Sequence, residues 1–221
     1  MADRAAGLPI AREGVPFVLA AGVPALLTGF LGWNGFSLVL GALACYTAWF
    51  FRNPYRKIPP GKHLIVSPGD GRVVAVQEEF EPRFLKEQSL RISIFLNVFD
   101  VHINRIPCAG KIADIAYQPG MFLIANSPEA TIRNEQNAVM IEMPDKGKVL
   151  CVQVAGLIAR RIVCWASPGE TVKSGERFGL IRFGSRMDTF LPLGSTARVE
   201  VGTRVKGGET ILAELPCADP S

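Results

Sequence analysis

The chain has 221 residues, a formal net charge of +4 and a hydrophobic content of 48%. This length suits one moderate domain, or one domain with a membrane element, and is sufficient for a hydrophobic core. The small excess of positive charge forms no long basic run, which excludes a nucleic-acid-binding surface. The mean hydropathy of +0.23 is high for a soluble protein.

The apolar residues are concentrated near the N-terminus, where no charged residue occurs from Gly14 to Phe51. A single helix over residues 15–51 would measure about 55 Å, whereas the hydrocarbon core of a bilayer measures about 30 Å. Turn-forming residues at 32–35 divide the segment into halves at 16–31 and 36–51. We therefore predict a helical hairpin that dips into or barely crosses a membrane. A hairpin buried in a protein core is the alternative, and the length of the segment excludes a signal peptide.

A basic cluster follows the apolar segment, and no acidic residue interrupts it. It consists of Arg52, Arg56, Lys57 and Lys62. Basic residues beside a membrane segment favour the cytoplasmic face and attract anionic headgroups. We predict a hairpin with a basic linker over residues 1–62, at the cytoplasmic face of the cell membrane, and a separate domain over residues 63–221.

The second domain has the pattern of antiparallel β-structure. Short apolar runs with a period of two begin at Leu64 and flank turn sequences such as 67–71 and 144–147. We predict a mainly β (α+β) fold, in which a flattened antiparallel β-barrel or sandwich follows the apolar helical hairpin.

An internal repeat supports this prediction. Residues 169–176 and 202–209 share the pattern G-x-x-V-K-x-G-E at a spacing of 33 residues. The glycines suit tight turns and the valine suits an inward-facing strand position. The pattern resembles the flattened barrel of biotinyl and lipoyl carrier domains.

Three groups of residues have the chemistry of a catalytic site. The turn at 67–71 (SPGDG) contains the carboxylate Asp70, and the segment 97–107 contains His102 and Arg105. Two Gly-Ser pairs, at 184–185 and 194–195, complete the set. A glycine carbonyl before a serine hydroxyl is an unhindered electrophile beside a weak nucleophile.

These segments and the apolar N-terminus together resemble the phosphatidylserine decarboxylase family, in its short bacterial and archaeal form. The resemblance implies a lyase that makes its own pyruvoyl cofactor. In this scheme Ser195 attacks the Gly194 carbonyl, the chain is cleaved between residues 194 and 195, and the serine becomes a pyruvoyl group. Chains 1–194 and 195–221 would remain associated as a heterodimer. The pyruvoyl carbonyl would then form a Schiff base with the serine amine of phosphatidylserine, and loss of CO₂ would give phosphatidylethanolamine.

The family resemblance also suggests roles for individual side chains. A hydroxyl needs a base in order to act as a nucleophile, and His102 is the candidate base, with Asp70 as the residue that orients it. Longer family members have a second histidine at the position of Arg105. The alternative is therefore that His102 serves only decarboxylation, with strain and Asp70 driving the cleavage. Arg105 and Arg186 are candidates for binding the substrate phosphate or carboxylate, because guanidinium groups suit such anions. Asn134 is a third candidate contact to the substrate.

Other functions fit parts of the sequence. The substrate could be another serine lipid, such as an archaetidylserine-like one. A non-enzymatic, membrane-tethered, carrier-like adaptor would explain the repeat and the hairpin but not the catalytic set. The five cysteines have no CxxC spacing, which favours free buried thiols over disulfides or a metal site. We therefore expect a phospholipid and the membrane as partners, no metal, and no nucleic acid, while a homo-oligomer is compatible with the sequence.

Overall fold

The computed structural model describes residues 9–120, 134–143, 147–156, 162–182 and 184–216. These residues form two compact units, which meet in the chain between Tyr55 and Arg56. The first unit is helical and the second consists of β-strands.

The first unit is a helical hairpin. A 3₁₀ turn at Arg12–Gly14 leads into α1 (Val15–Phe30), and α2 spans Asn34–Phe50. Helix α1 ends before Gly32, whose φ of +79° is accessible to glycine at little energetic cost. The Ser37 hydroxyl of α2 donates a hydrogen bond to the Ala25 carbonyl of α1 at 2.8 Å. The predicted pair of apolar helices with a break near residue 32 is thus confirmed.

Large apolar side chains cover the outside of the hairpin. Leu26, Phe30 and Leu38 are 77%, 91% and 75% exposed, respectively. The stretch Arg12–Phe30, which includes the 3₁₀ turn, has 19 residues and a mean hydropathy of 1.5, enough by length and composition to cross a membrane. The helix Asn34–Phe50 is apolar but shorter. These properties alone are weak evidence for association with a membrane.

The second unit is built on one eight-stranded antiparallel sheet that curls into a half-barrel. Its strand order is β13-β2-β3-β11-β7-β6-β5-β9. The strands are β2 (Gly71–Glu81), β3 (Glu87–Leu96), β5 (Gly110–Gln118), β6 (Gln136–Met143), β7 (Gly147–Ala155), β9 (Thr171–Val172), β11 (Ser185–Pro192) and β13 (Arg204–Val205). The predicted mainly β fold class is confirmed.

Two three-stranded sheets complete the unit, in the orders β1-β14-β12 and β4-β10-β8. Their strands are β1 (Leu64–Val66), β4 (Ile103–Arg105), β8 (Ile162–Cys164), β10 (Arg177–Ile181), β12 (Thr196–Ala197) and β14 (Ile211–Glu214). One face of the large sheet packs into the main core, which includes Ile92, Ile94 and Leu96 of β3. Side chains with a period of two point to the same face of a strand, and these three residues follow that rule.

The internal repeat forms the two edges of the large sheet. Its copies contain β9 and β13, and their valines, Val172 and Val205, are 2% and 3% exposed. The second glycines of the copies, Gly175 and Gly208, have similar φ angles of +75° and +78°. Each copy is therefore one turn-strand-turn unit, as its sequence predicts.

Candidate active site

The turn between β1 and β2 fixes Asp70. Inside the turn, the Ser67 hydroxyl donates to the Gly69 carbonyl at 2.6 Å. Asp70 accepts two hydrogen bonds from Nη2 of Arg56, at 2.7 and 2.9 Å, and one from the backbone N–H of Gly207 at 2.8 Å. The carboxylate is thus held on both oxygens.

His102 lies directly before β4 and is only 2% exposed. Its Nδ1 lies 3.0 Å from the backbone carbonyl oxygen of Asp100. Because a carbonyl can only accept, Nδ1 carries the proton in this contact, and Nε2 of the neutral ring is left with the lone pair. That tautomer suits a general base.

The expected contact between Asp70 and His102 is absent from the described part of the chain. The hydrogen bonds of the Asp70 carboxylate go to Arg56 and to Gly207, whereas a main-chain oxygen orients His102. In this structure the guanidinium of Arg56 holds the carboxylate instead through a charged pair, and a role of Asp70 in orienting His102 stays a prediction.

Gly194 and Ser195 lie in an ordinary tight turn after β11. Gly194 has φ of +84°, and the Ser195 N–H and Oγ both donate to the Pro192 carbonyl, at 3.2 and 2.6 Å. Among the described residues, Ser195 makes no hydrogen bond to His102 or Asp70. The hydroxyl that sequence reasoning selects as the nucleophile is satisfied within its own turn.

The other Gly-Ser pair lies at the opposite end of the same strand. Ser185 begins β11, where it pairs with Leu96 of β3 and Ala155 of β7, whereas Pro192 near the other end pairs with Ser89. The eight residues of β11 span about 23 Å. Gly69 packs against Leu96 and Met187, and the Ile181 N–H contacts the His102 carbonyl oxygen at 3.4 Å. The strand end that begins with Ser185 is therefore the end near Asp70 and His102.

Ser185 also has the environment expected of an unused nucleophile. Its exposure is 0%, and its Oγ has no hydrogen-bond partner among the described residues. Gly184 before it has φ of +65°, and within the described ranges, its chain neighbours aside, no atom lies within 4 Å of the position that a Cβ would take. A buried hydroxyl without a partner costs about 1–3 kcal/mol, so its presence here calls for a functional explanation. The motif alone gave no reason to prefer this serine.

Comparison with known proteins identifies the family. The family model described as phosphatidylserine decarboxylase matches residues 43–213. A phosphatidylserine decarboxylase proenzyme of Syntrophus aciditrophicus is 48% identical over 204 residues, which cover 92% of this chain and 96% of that protein. Proenzymes with the same name from Paraburkholderia phytofirmans and Burkholderia vietnamiensis are each 47% identical over 206 residues, covering 93% of this chain and 97% and 96% of theirs. The chain belongs to the phosphatidylserine decarboxylase family. The resemblance seen in the motifs is confirmed.

Within this decarboxylase fold, Arg105 lies in a buried cluster of charges. Its Nη1 donates to the Gly175 carbonyl at 2.9 Å, and the residue is 9% exposed. Desolvation by burial, together with the positive charges of Arg56 and Arg177, lowers the pKa of Arg105 to about 10, against the opposing effect of the Asp70 and Glu209 carboxylates. The guanidinium therefore stays protonated near neutral pH. The neighbouring positive charges favour the binding of an anion beside it.

Arg186 is committed to an ion pair inside the protein. Its Nε and Nη2 bind the carboxylate of Asp188 at 2.8–3.1 Å, and the two residues are 4% and 1% exposed. Asn134, by contrast, lies at the end of the sheet near Ser185. Its Nδ2 donates to the carbonyl of Ala155, the residue that pairs with Ser185, at 2.7 Å.

A chain of buried amides crosses the same region and was not predicted from the sequence. Asn137 donates to Gln153, and Gln153 donates to Oδ1 of Asn104, each at 2.8 Å. Gln153 pairs with Met187, on the same face of the sheet as Ser185. This chain fixes the amide of Asn104, whose Nδ2 has no hydrogen-bond partner in the described residues. Single polar residues in a strand pattern carry no signal for such a network.

Proposed function

We propose that this chain is a self-processing phosphatidylserine decarboxylase, which converts one of its own serines to a pyruvoyl group and forms phosphatidylethanolamine. Membership of the family supports the decarboxylation of phosphatidylserine, and the proenzyme names of the relatives support cleavage of the chain. The two products of cleavage would stay together as one enzyme, because β11 pairs on both sides within the large sheet.

The bond that is cleaved is a separate question, because the chain has two Gly-Ser pairs. The predicted site is Gly194–Ser195. The geometry favours Gly184–Ser185 instead, since Ser185 is buried near His102 and its hydroxyl is unused, whereas the Ser195 hydroxyl is bound to Pro192. We therefore assign the nucleophile to Ser185, and Ser195 stays a prediction that the same experiment tests.

The cleavage needs a base that takes the serine proton, a hydrogen-bond donor to the oxyanion, and an unhindered glycine carbonyl. The serine Oγ attacks the preceding glycine carbonyl carbon, its proton passes to a base, and the amide becomes an ester. Loss of the serine Cα proton and rupture of the Cβ–O bond then release the glycine carboxylate, and the remaining dehydroalanine takes up water and loses ammonia. Asp70 and His102 are the candidate bases. The Asn104 amide is the candidate side-chain donor to the oxyanion.

Once formed, the pyruvoyl group supplies a carbonyl that accepts the electrons left by the departing CO₂. The residues around it must then bind the lipid headgroup and return a proton to the carbon. His102 is the candidate acid for that proton, which Nε2 would first take up as a base and then deliver, while Nδ1 stays bound to the Asp100 carbonyl. Arg105 is the stronger candidate for the headgroup phosphate or carboxylate, since Arg186 is neutralised by Asp188. Asn134 lies close enough to the Ser185 end of the sheet to remain a candidate contact.

The substrate reaches the enzyme through a membrane, and we assign the hairpin to that association. The exposed apolar helices support it, and the basic residues after them favour the cytoplasmic face. Comparing the activity toward phosphatidylserine with the activity toward an archaetidylserine-like lipid would show whether the enzyme recognises the serine headgroup alone or the lipid backbone as well.

Intact-mass analysis of the purified protein tests the proposal. Cleavage before Ser185 gives chains of 184 and 37 residues, and cleavage before Ser195 gives chains of 194 and 27 residues. We expect the first pair, with the small chain reactive toward a hydrazine at its N-terminus. Ser185→Ala should yield one intact, inactive chain, whereas Ser195→Ala should cleave normally. The second pair of masses would move the nucleophile to Ser195, and an uncleaved active wild-type chain would refute self-processing.

A further inference from the structure

The β-unit begins with a short segment, residues 56–58, that contacts the turns around Asp70. The basic residues that follow the hairpin are predicted to lie against lipid headgroups, but the guanidinium of Arg56 is inside the protein, with its side chain 7% exposed. Two residues later, Ile58 occupies the place that a Cβ atom at Gly175 would take, and it lies 3.0 Å from the Cβ position at Gly208, where Cδ of Arg105 is at 2.9 Å. These are the equivalent glycines of the two repeat copies, so the absence of side chains at both positions makes room for Ile58.

The same segment makes polar contacts on either side of this apolar contact. Nη1 of Arg56 lies 3.5 Å from the Glu209 carboxylate, and the backbone N–H of Lys57 donates to Glu209 at 3.1 Å. The Lys57 N–H and the charges of Arg56 and Lys206 lower the pKa of Glu209, in part against its desolvation. The segment 56–58 is thus fixed by an apolar side chain, a backbone group and a guanidinium.

The strongest contact of this segment is with Asp70. Both Asp70 oxygens accept from Nη2 of Arg56, at 2.7 and 2.9 Å, while Gly207 fixes one of them from the other side. Asp70 has a side-chain exposure of 15%, so the pair is largely removed from water. A carboxylate bound in this way by a partner cation and a backbone N–H keeps one orientation.

We propose that Arg56 is a positioning residue for Asp70 in the proposed catalytic site. This inference rests on the proposed function, in which Asp70 serves the self-cleavage. Arg56 acts through Asp70: it orients the carboxylate and balances its charge, in a cluster that also contains the positive Arg105 and Arg177. Arg56 is then required for the chemistry of the cleavage and not for binding the lipid.

The test compares Arg56→Gly with Lys57→Gly in the full-length protein. Both variants lose one positive charge and one side chain, but Lys57 contributes only its backbone N–H to the described contacts. We expect Arg56→Gly to slow self-cleavage at least 100-fold, as seen in the rate at which the intact mass disappears, and Lys57→Gly to cleave like the wild type. Added guanidinium ion should restore cleavage of Arg56→Gly by at least tenfold, because it can occupy the vacated position beside Asp70.

Other outcomes overturn the inference. Normal cleavage of Arg56→Gly would show that Asp70 needs no positioning by this residue. Slow cleavage of Arg56→Gly that guanidinium does not restore, together with a lowered Tm, would assign Arg56 a purely structural role. A conservative Arg56→Lys variant that folds with the wild-type Tm separates these cases, since we expect it to recover part of the cleavage rate. A raised KM for phosphatidylserine with normal cleavage would make Arg56 a substrate contact. Failure of the wild-type chain to cleave would instead refute the proposed function itself.

Discussion

Arg186 and Asp188 are two residues apart on β11 and form a bidentate ion pair on one face of the sheet. Both side chains are buried almost completely. Removing one partner of such a pair leaves an uncompensated charge in the protein, whereas replacing both with apolar residues removes the desolvation cost as well.

We therefore predict that Asp188→Leu lowers the free energy of unfolding by about 3–5 kcal/mol. The double variant Arg186→Met/Asp188→Leu should be clearly more stable than this single variant, and both can be measured by urea denaturation of an uncleaved form. The folded double variant should retain the wild-type KM for phosphatidylserine. A large increase of KM would show that Arg186 binds the substrate, as the sequence suggested.

The second prediction concerns the two histidines. His102 is buried with its Nδ1 on the Asp100 carbonyl, whereas His63 is exposed. Loss of a general acid or base slows a reaction by about 10²–10⁴-fold. We expect His102→Gln to slow decarboxylation by a factor in that range and His63→Gln to leave it unchanged, in assays with phosphatidylserine vesicles. Equal activity of the two variants would exclude His102 from proton transfer.

The third prediction concerns stability at alkaline pH. Complete burial raises the pKa of the Cys108 thiol from 9.0 to about 12, and burial raises that of Cys151 as well. Above pH 9 the unfolded chain loses thiol protons that the folded chain keeps, so the stability provided by these thiols is complete below pH 9 and is lost as the pH rises toward 12.

Denaturation at pH 8 and pH 11 measures this effect. Linkage gives a loss on the order of 3 kcal/mol for one such thiol over that interval. Cys108→Ala should be less stable at pH 8 but should show a shallower decline than the wild type. The exposed thiol of Cys45 provides the control, and Cys45→Ala should reproduce the wild-type decline. An unchanged slope in Cys108→Ala would mean that its thiol ionises in the native protein.

The local sequence was sufficient to predict the elements that depend only on residues close together in the chain. The break between the helices follows from Gly32, which alone could take its positive φ without strain. The repeat predicted two equivalent turn-strand-turn units, and these became the sheet edges at Val172 and Val205. Alternation of apolar residues was likewise enough to predict a mainly β unit.

The site depended on contacts between residues far apart in the chain. The two Gly-Ser pairs look alike in sequence, and only the pairing of Ser185 with Leu96 and of Pro192 with Ser89 separates them in space. The neighbours of Arg56 in sequence place it in a basic cluster at the membrane. In the structure its side chain is buried in an ion pair with Asp70, 14 residues later. Register and ion pairing of this kind are tertiary effects, and no local pattern encodes them.

The fourth prediction concerns the hairpin and the membrane. Leu26 and Leu38 expose about three quarters of their side chains on α1 and α2. A charged residue at the centre of a membrane helix costs about 2.5–3.5 kcal/mol. We expect the double variant Leu26→Asp/Leu38→Asp to lose most of its flotation with phosphatidylserine vesicles. Phe80→Asp, which changes an apolar residue of β2 that is 53% exposed, should float like the wild type. Equal flotation of all three proteins would show that the outer surface of the hairpin does not contact lipid, and the alternative of a hairpin covered by protein would then be favoured.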